Sequence, residues 1–239
     1  MITSASNPRL KLVRKLASGR QRAKLGLFVC EGEDLVAAGL AAGITPVEAL
    51  VGAERPVEIE GLEGAEEVEQ GLLAELASLA HPPRIVAVFR RADLPRELDA
   101  STGLALWHVG DPGNVGTLVR TADALGPAFV ALSPGCADPT SPKALRASAG
   151  AIFRVPLVAW DELPGRRVAL LAHGRAPLDA VDLGPPMTFL LGAERAGLPP
   201  EIVAESIEAT ITLPGAAESL NVAAAGAIAL HEAFRRGGA

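Results

Sequence analysis

Three separated stretches of the chain place polar side chains beside glycine, a combination that suits a site where a ligand approaches the backbone closely. The first stretch holds Asn114 and Arg120, the second holds Glu194, and the third holds Ser219 and Asn221. A guanidinium supplies positive charge, a carboxylate accepts hydrogen bonds or a proton, and amide and hydroxyl groups both donate and accept. These residue types could bind an anionic or carbonyl group and assist the removal of a proton.

The first stretch, VGDPGNVGTLVRTADALG over residues 109–126, indicates the end of a strand, a glycine-rich turn and a helix over 115–125. The turn lacks the GxGxxG spacing of a dinucleotide fold and the lysine-serine/threonine pair of a phosphate loop. By itself it is therefore no more than a turn. Arg120 lies on an otherwise apolar helix and needs a partner if it is buried. A surface ion pair with Asp123 is the alternative to a functional role.

The second stretch, FLLGAERAGLP over residues 189–199, predicts a buried strand that ends at Gly192 and presents Glu194. A second glycine, Gly197, follows at once. The missing side chains would let a flat ligand lie close to the backbone beside the carboxylate. An ordinary turn is the alternative interpretation.

The third stretch is the entrance to the last helix, LPGAAESLNVAAAGAIALHEAFRR over residues 213–236. Apolar residues recur there at spacings of three and four, as in a helix with a broad apolar face. The small residues around Gly226 would let another backbone come close. Backbone N–H groups at the helix entrance, together with Ser219 and Asn221, could bind a carboxylate, a phosphate or a carbonyl. A structural cap followed by a core helix is the alternative.

Strands and helices alternate through the second part of the chain, which predicts an α/β domain with a mostly parallel sheet and helices on both faces. In such sheets ligands bind at the carboxyl ends of the strands. The three polar stretches all adjoin ends of predicted strands, so we expect them to meet at one edge of the sheet. The predicted strands are LALWHV, FVALS, FRVPLV, VALLAH, MTFLLG and ATITL, with a short helix over 143–149.

The first part of the chain predicts a smaller α/β domain. A segment over 91–103 with a proline, charges and small polar residues is the expected linker. We therefore divide the chain into a domain over residues 1–95 and a second domain over 103–239. The elements predicted in the first domain are a strand and a helix in FVCEGEDLVAAGLAAG, strands over 46–51 and 84–89, and a helix over 66–79.

Positive charge is concentrated at the N-terminus, although the formal net charge of the 239-residue chain is −6. Seven of the 22 lysines and arginines precede the first acidic residue, Glu31. Clustered cations gain affinity for RNA or DNA by releasing counterions, so a phosphate-binding arm is one interpretation and a solvated helix face is the other. Aromatic residues make up only 3% of the chain, so platforms that stack bases are not expected. The cations proposed to contact RNA are Arg9, Arg14, Lys15, Arg20 and Arg22.

Several classes of protein do not fit the composition. No run of about 18 apolar residues is present and no signal peptide is evident, so we expect a cytoplasmic protein without a membrane partner. Cys30 and Cys136 are too few for a disulfide framework or a zinc site. Because the four histidines are scattered, no bound catalytic metal is expected.

The three polar stretches, in this order and at this spacing, resemble the motifs of the SpoU/TrmH-type RNA 2′-O-ribose methyltransferases of the SPOUT superfamily. The resemblance rests on residues Asn114 to Gly126 with Arg120, on the segment GAERAGL from Gly192, and on SLNV from Ser219. The segment KALRASAGAIFRVP between them is also similar to the family. The N-terminal segments NPRLKLVRKL and FVCEGEDLVAAGLAAG resemble the substrate-binding domain of many members, which is similar to small ribosomal RNA-binding proteins.

This resemblance implies an enzyme that uses S-adenosylmethionine and works as a homodimer through a methyltransferase domain with a C-terminal trefoil knot. Ordinary connection rules would not predict a knot. In the family, backbone groups matching Gly192, Ile211 and Leu220 bind the methyl donor, with Glu194, Ser219 and Asn221 close by. The matching catalytic residue is Arg120, supported by Asn114. One departure is Thr212, where relatives usually have proline, which affects the expected shape of the donor loop.

Methyl transfer to a ribose hydroxyl requires alignment of the two reactants and removal of the hydroxyl proton. Arginine rarely gives up its proton, so we expect Arg120 to bind substrate phosphate and stabilise the developing alkoxide, while Glu194, phosphate or water accepts the proton. The substrate would be structured RNA, with rRNA favoured over tRNA. A non-catalytic RNA-binding or ribosome assembly factor of the same fold is the main alternative. The missing GxGxxG argues against an unrelated dinucleotide enzyme.

Overall fold

Two β-sheets organise the chain in the computed structural model, which describes residues 1–54, 57–76, 82–173 and 175–236. The smaller sheet has four strands in the order β1-β4-β2-β3, in which β4 is antiparallel to both of its neighbours and β3 is parallel to β2. Its elements are α1 (Pro8–Leu16), α2 (Gly19–Leu25), β1 (Leu27–Glu31), α3 (Glu33–Ala41), β2 (Glu48–Gly52), β3 (Glu66–Val68), α4 (Gln70–Ala74) and β4 (Ile85–Arg90).

The helix predicted over 66–79 is wrong at its start. Residues 66–68 form strand β3, because Val68 is fully buried and pairs with Ile2 near the N-terminus. The Ile2 N–H donates to the carbonyl of Glu67, and the Glu69 N–H donates to the carbonyl of Ile2. This distant pairing overrides the helix propensity of a glutamate-rich segment. The helix begins only at Gln70, and residues 77–79 lie outside the described ranges.

The larger sheet contains seven strands in the order β7-β6-β5-β10-β8-β11-β9, and every neighbouring pair is parallel. The predicted parallel α/β architecture is therefore confirmed. Three-residue 3₁₀-helices lie at Arg91–Asp93, Ala151–Phe153, Trp160–Glu162 and Leu178–Ala180. The remaining elements are β5 (Thr102–Leu106), α5 (Pro112–Leu125), β6 (Phe129–Leu132), α6 (Pro142–Ser148), β7 (Leu157–Ala159), β8 (Arg166–Leu170), β9 (Ala176–Pro177), β10 (Met187–Leu191), α7 (Pro200–Ala204), β11 (Ile207–Thr210) and α8 (Val222–Arg235).

Alternating residues of these strands face two separate cores. Leu104 and Leu106 of β5 pack with α5 and α8, whereas Ala105 faces the opposite side. That second side is covered by the short helix α7 and by the 3₁₀-helix at Trp160–Glu162. Two predicted strands are shorter than expected. FRVPLV contributes only β7, and β11 ends at Thr210, so Ile211 begins an irregular loop.

The two sheets share one continuous core. Phe28 and Phe89 of the smaller sheet stack at a centroid distance of 5.9 Å, and both rings contact Phe153 of the second half. The expected linker over 91–103 is packed, because Leu94 is buried and the Leu157 N–H donates to the carbonyl of Pro95. The two halves are thus joined by apolar packing. Within the described ranges, no helix is long and apolar enough to cross a membrane.

Arg22 must be removed from the predicted RNA-binding set, because its side chain is buried at the junction of the two halves. Only 5% of the residue is exposed. Its guanidinium donates to the carbonyls of Leu16 and Ala17 and pairs with Asp138 at 2.8 Å. Arg91 contacts the other carboxylate oxygen of Asp138. A buried and fully paired arginine cannot also bind a phosphate of RNA.

The Asp138 carboxylate that accepts these bonds is held in its charged form. Desolvation by burial raises its pKa, but hydrogen bonds from Thr140 and the nearby Arg91 and Arg22 outweigh that effect and lower it below the ordinary value. A depressed pKa contributes stability that is present at neutral pH and is lost as the pH falls through the folded-state value. The stability that Asp138 contributes to the junction should therefore be lost in strong acid.

Candidate active site

The three polar stretches meet at the carboxyl edge of the larger sheet. Strand β10 lies between β5 and β8, and β11 lies beside β8. The turn after β5 starts α5, the turn after β10 carries Gly192 and Glu194, and the loop after β11 leads into α8. Because all these strands are parallel, the segments that follow them emerge on the same side of the sheet. The predicted convergence is thus present.

A chain of hydrogen bonds joins one residue from each stretch. The Asn221 side-chain amide donates to Oδ1 of Asn114 at 3.1 Å. The Asn114 amide in turn donates to Oε1 of Glu194 at 3.0 Å, and the Gly110 N–H donates to its other oxygen at 3.4 Å. Residues that are 80 and 107 positions apart are thereby held in one cluster.

Helix caps hold the two asparagines in place. Asn221 caps α8, because its Oδ1 accepts from the Ala223 N–H at 2.8 Å. Asp111 caps α5 and accepts from the N–H of Asn114 at 3.1 Å. Lys143 donates to Asp111 at 2.6 Å, and this bond is the largest cause of the lowered pKa of Asp111. The caps thus fix the amide groups that form the chain of hydrogen bonds.

A cavity of about 580 Å³ opens beside this cluster. Its volume falls within the range of small-molecule sites. Every residue predicted to bind the methyl donor lines it, and Glu194 does too. The end of β8 forms a further wall, at Leu170, Leu171 and Ala172, which was not predicted from the sequence. The available signal was their position at the end of an apolar parallel strand. The predicted lining residues are Gly192, Ile211, Ser219, Leu220 and Asn221.

Gly192 is required by the close approach of the chain to itself. A Cβ atom there would lie 2.2 Å from the carbonyl carbon of Gly197 and 2.4 Å from the nitrogen of Leu198. Ala193 and Gly197 exchange two backbone hydrogen bonds of 3.2 and 2.8 Å, which close the turn. No side chain fits between these backbones. Glycine at this position therefore lets the turn close tightly at the edge of the cavity, which Gly192 lines.

A second, shallower cavity adjoins the first and has Ala193, Glu194, Arg195 and Asn221 in common with it. Asn114 and His108 also line it. The hydrogen-bonded cluster therefore stands between two openings. Such an arrangement can hold one ligand on each side and bring their reacting atoms together.

Comparison with known proteins identifies the family to which this site belongs. The sequence model of the SpoU rRNA Methylase family matches residues 101–231, and that of the MRM3-like substrate binding domain matches residues 7–87. The chain belongs to the SpoU rRNA methylase family. This membership confirms the predicted resemblance and the enzyme class it implies, an RNA 2′-O-ribose methyltransferase that uses S-adenosylmethionine.

Relatives of this SpoU methylase match it along nearly its whole length. The 23S rRNA (guanosine(2553)-2′-O)-methyltransferase RlmP of Bacillus subtilis is 32% identical and aligns with 96% of this chain and 97% of its own. An AdoMet-bound rRNA methyltransferase from Sinorhizobium meliloti superposes with a TM-score of 0.83 at 31% identity, covering 98% and 97% of the two chains. The SpoU methyltransferase AviRb from Streptomyces viridochromogenes, in complex with AdoMet, superposes with a TM-score of 0.84 at 26% identity. The superposition covers 96% of this chain and 98% of AviRb.

Arg120 of this SpoU methylase lies apart from the cluster. It is exposed on α5 and lines neither cavity. Its side chain forms no hydrogen bond or ion pair with any other residue in the described ranges. The surface ion pair with Asp123 does not form, because Arg154 binds that carboxylate at 3.0 and 2.6 Å. The exposed guanidinium is thus available to bind another molecule.

The Glu194 carboxylate of this methylase is ionised near neutral pH. Desolvation raises its pKa, but hydrogen bonds from Asn114 and from backbone N–H groups, including that of Gly110, lower it below the ordinary value. An ionised carboxylate can accept a hydrogen bond from a ribose hydroxyl or take its proton. Glu194 is the group of the cluster with this capacity.

Substitutions of Asn221 should separate its two roles in this methylase. Asn221→Asp keeps the oxygen that caps α8 but loses the amide that donates to Asn114. We expect unchanged stability and methyl transfer reduced by about tenfold, the effect of one lost hydrogen bond. Asn221→Ala should in addition lower the free energy of unfolding by about 1 kcal/mol. Urea unfolding and labelled-methyl transfer measure the two effects, and full activity of Asn221→Asp would contradict this role.

Proposed function

We propose that this protein transfers the methyl group of S-adenosylmethionine to a ribose 2′-hydroxyl of ribosomal RNA, and that it acts in the cytoplasm. The observation that carries the proposal is the hydrogen-bond chain from Asn221 through Asn114 to Glu194, which unites the three motifs between two adjoining cavities. The rRNA substrate is supported by the names of the Bacillus subtilis and Sinorhizobium meliloti relatives.

The first cavity, of about 580 Å³, is the proposed donor site. Backbone groups of Gly192, Ile211 and Leu220 would hold the donor, with Ser219 and Asn221 supplying polar contacts. Gly192 lines this cavity, and the tight turn that it permits shapes the wall against which the adenine ring would lie. The expected effect of Thr212 on this loop stays a prediction. Its neighbours Ile211 and Leu213 both line the cavity, whereas Thr212 is exposed.

The second cavity is the proposed acceptor site. Bound S-adenosylmethionine would supply an electrophilic methyl group, which would pass to the ribose oxygen as the carbon–sulfur bond breaks and its electron pair stays on sulfur. The hydroxyl proton goes to Glu194, to phosphate or to water, while Asn114 fixes the carboxylate that receives it. Arg120 would bind the substrate phosphate and stabilise the developing alkoxide.

In a homodimer, Arg120 of one subunit could reach the acceptor site of the other, although it lies outside both cavities of its own subunit. The outer surfaces of α5 and α8 carry small or apolar exposed residues, among them Thr117 and Ala124 on α5 and Ala224 and Ile228 on α8. Ile228, which is 39% exposed, is the largest apolar side chain of this group. We propose that this surface, called the α5–α8 surface, packs against a second copy. The unpaired Arg120 would then reach the partner's acceptor site.

Placing a charge on the α5–α8 surface should break the dimer. We expect Ile228→Asp to shift the protein to a monomer, because a carboxylate would be buried without a partner at the interface. Methyl transfer should fall at least tenfold with it. Ile207→Asp is the matched control, since Ile207 is 38% exposed at the start of β11. Sedimentation equilibrium measures the oligomeric state. If the Ile228→Asp protein were still a dimer, the proposed α5–α8 interface would be wrong.

The N-terminal helices carry the proposed RNA-binding arm. Lys15 and Arg20 are exposed, and neither forms an ion pair with a described residue. Arg9 binds Glu48 and Glu66, and Arg14 binds Glu75, yet about a third of each arginine side chain remains exposed. The free cations are therefore the stronger candidates for phosphate contacts. Lys11 and Lys24 are similarly exposed and extend the arm.

Neutralising two free cations should weaken RNA binding and its salt dependence together. We expect the double variant Lys15→Gln, Arg20→Gln to reduce the slope of log affinity against log salt by about 2, roughly one unit for each lost phosphate contact. Donor affinity should not change. The double variant Arg167→Gln, Arg175→Gln is the control. It removes the same amount of positive charge, but from arginines that form ion pairs with Glu205 and Glu208. If the salt dependence of RNA binding did not change, the arm would not bind RNA and its charges would only keep the surface soluble.

A labelled-methyl transfer assay tests the proposed reaction. The protein is incubated with S-adenosylmethionine and either rRNA or tRNA transcripts, and calorimetry compares S-adenosylmethionine with NAD and ATP. We expect label in the ribose of rRNA and binding of S-adenosylmethionine alone. Tight RNA binding without transfer would favour the non-catalytic assembly factor, and label in tRNA alone would replace the proposed substrate.

A further inference from the structure

Both tryptophans of the chain lie together at the carboxyl edge of the larger sheet. Trp107 follows β5 and Trp160 follows β7, and their rings meet edge to face at 5.0 Å. Each is only partly buried. The chain has two tryptophans, six phenylalanines and no tyrosine. Five of the phenylalanines are buried in the cores, namely Phe28, Phe89, Phe129, Phe153 and Phe189.

His108 extends this aromatic pair toward the acceptor cavity. Its imidazole lies flat on Trp107, with a centroid distance of 4.7 Å and an interplanar angle of 15°. The residue is exposed and lines the same cavity as Asn114 and Glu194. We call the three rings of Trp107, His108 and Trp160 the aromatic platform.

The backbone at His108 is strained in a way that fixes the ring. Its φ of 52° lies in the left-handed region that residues other than glycine rarely adopt. The buried Ser133 accepts a hydrogen bond from the His108 N–H at 3.0 Å and holds this conformation. Gly135 packs beside the ring, because a Cβ there would lie only 3.3 Å from the imidazole, and this close contact also restricts the ring. Strain of this kind persists where the surroundings enforce it and commonly accompanies a functional site.

We propose that the aromatic platform stacks the base of the nucleotide whose ribose is methylated. The inference rests on the proposed function, because it takes the acceptor ribose to lie at Asn114 and Glu194. A base attached to that ribose would extend along the same cavity to His108. RNA-binding proteins use aromatic and histidine rings in this way to hold unpaired bases.

The low aromatic content of the sequence gave no reason to expect such a platform. The fold creates it by gathering rings from the ends of separate strands. Stacking alone reads no hydrogen-bonding edge, so the platform requires an unpaired target base without selecting its identity. An enzyme that acts on a ribose in structured RNA would thereby favour a loop nucleotide or one flipped out of a helix.

Intrinsic fluorescence reports on the platform directly, because the chain has no tyrosine and both tryptophans belong to it. Single-stranded oligouridylate is titrated into the wild-type protein in the presence of S-adenosylhomocysteine, and the same oligonucleotide annealed to oligoadenylate is the control. We expect quenching that saturates with the single strand and little change with the duplex. Emission that the single strand leaves unchanged would overturn the platform.

A His108→Asn variant tests the catalytic consequence. Asparagine tolerates the left-handed backbone and removes the ring. We expect kcat/KM on 23S rRNA transcript to fall about tenfold, as for one lost base stack. The salt slope of RNA binding, the donor affinity and the unfolding midpoint should stay unchanged. Normal kcat/KM in the variant, with an active wild type, would overturn the platform alone, whereas a wild type that methylates no RNA overturns the proposed function instead.

Discussion

Replacing Arg120 with alanine is expected to slow methyl transfer by about 100-fold or more, the usual effect of removing a group that stabilises a developing oxyanion. Donor affinity should not change, because Arg120 lines neither cavity of its own subunit. Stability should hardly change either, since the side chain is exposed and makes no ion pair with a described residue. Single-turnover transfer of labelled methyl to rRNA measures the rate.

Arg120→Lys should be nearly as slow as Arg120→Ala. Lysine keeps the charge but loses the planar fork that binds a phosphate through two hydrogen bonds. Arg167→Ala is the matched control, because Arg167 lies near the start of β8, at the opposite edge of the sheet from the cavities. Near-normal transfer by Arg120→Lys would contradict the assigned role.

Replacing Gly192 with alanine should weaken donor binding strongly. The added carbon would lie 2.2 to 2.6 Å from three backbone atoms of Gly197 and Leu198, and backbone cannot rotate away as a side chain can. The turn must open, and its cavity wall must move. We expect S-adenosylmethionine affinity to fall by about 100-fold or more. Calorimetry measures it.

Gly215→Ala is the control for this substitution. Gly215 lies in the loop before α8, and a Cβ there meets no atom within 4 Å. Its donor affinity should match that of the wild type. If Gly192→Ala bound the donor normally, the turn would not be part of the donor site.

The two variants together test the proposed exchange of Arg120 between subunits. In a mixed dimer, one site combines the intact cavity of the Arg120→Ala chain with the Arg120 of the Gly192→Ala chain. Co-refolding the two inactive proteins should therefore restore roughly a quarter of wild-type activity, because random mixing gives half mixed dimers with one working site each. No recovery despite verified mixed dimers would place Arg120 in its own subunit's site.

The local sequence predicted the elements that position the site. The alternation of apolar strands with helices predicted the parallel sheet, and the glycine that follows a strand predicted the turn at Gly192. The polar residue at the entrance of the last helix is its cap, Asn221. The predicted close packing at Gly226 involves a side chain and not a backbone, since a Cβ there would lie 2.3 Å from the Cδ2 methyl of Leu118 on α5. These features depend on residues near one another in the chain.

Features that depend on distant partners could not be predicted. Arg22 is buried because Asp138, more than 100 residues later, completes its ion pair. The cavity wall at Leu170 follows from the strand order, which places β8 between β10 and β11. His108 gains its neighbours only when the ends of β5, β6 and β7 come together. The trefoil knot and the domain boundary at 95–103 stay predictions.

Mapping ribose methylation of rRNA by mass spectrometry, in cells with and without this protein, tests the central claim most directly. The deleted strain is complemented with either the wild type or Arg120→Ala, expressed at equal levels. We expect one rRNA nucleotide to carry a 2′-O-methyl group with the wild type and to lose it in the deletion and with Arg120→Ala. Identical methylation maps of rRNA in all the strains would contradict the account.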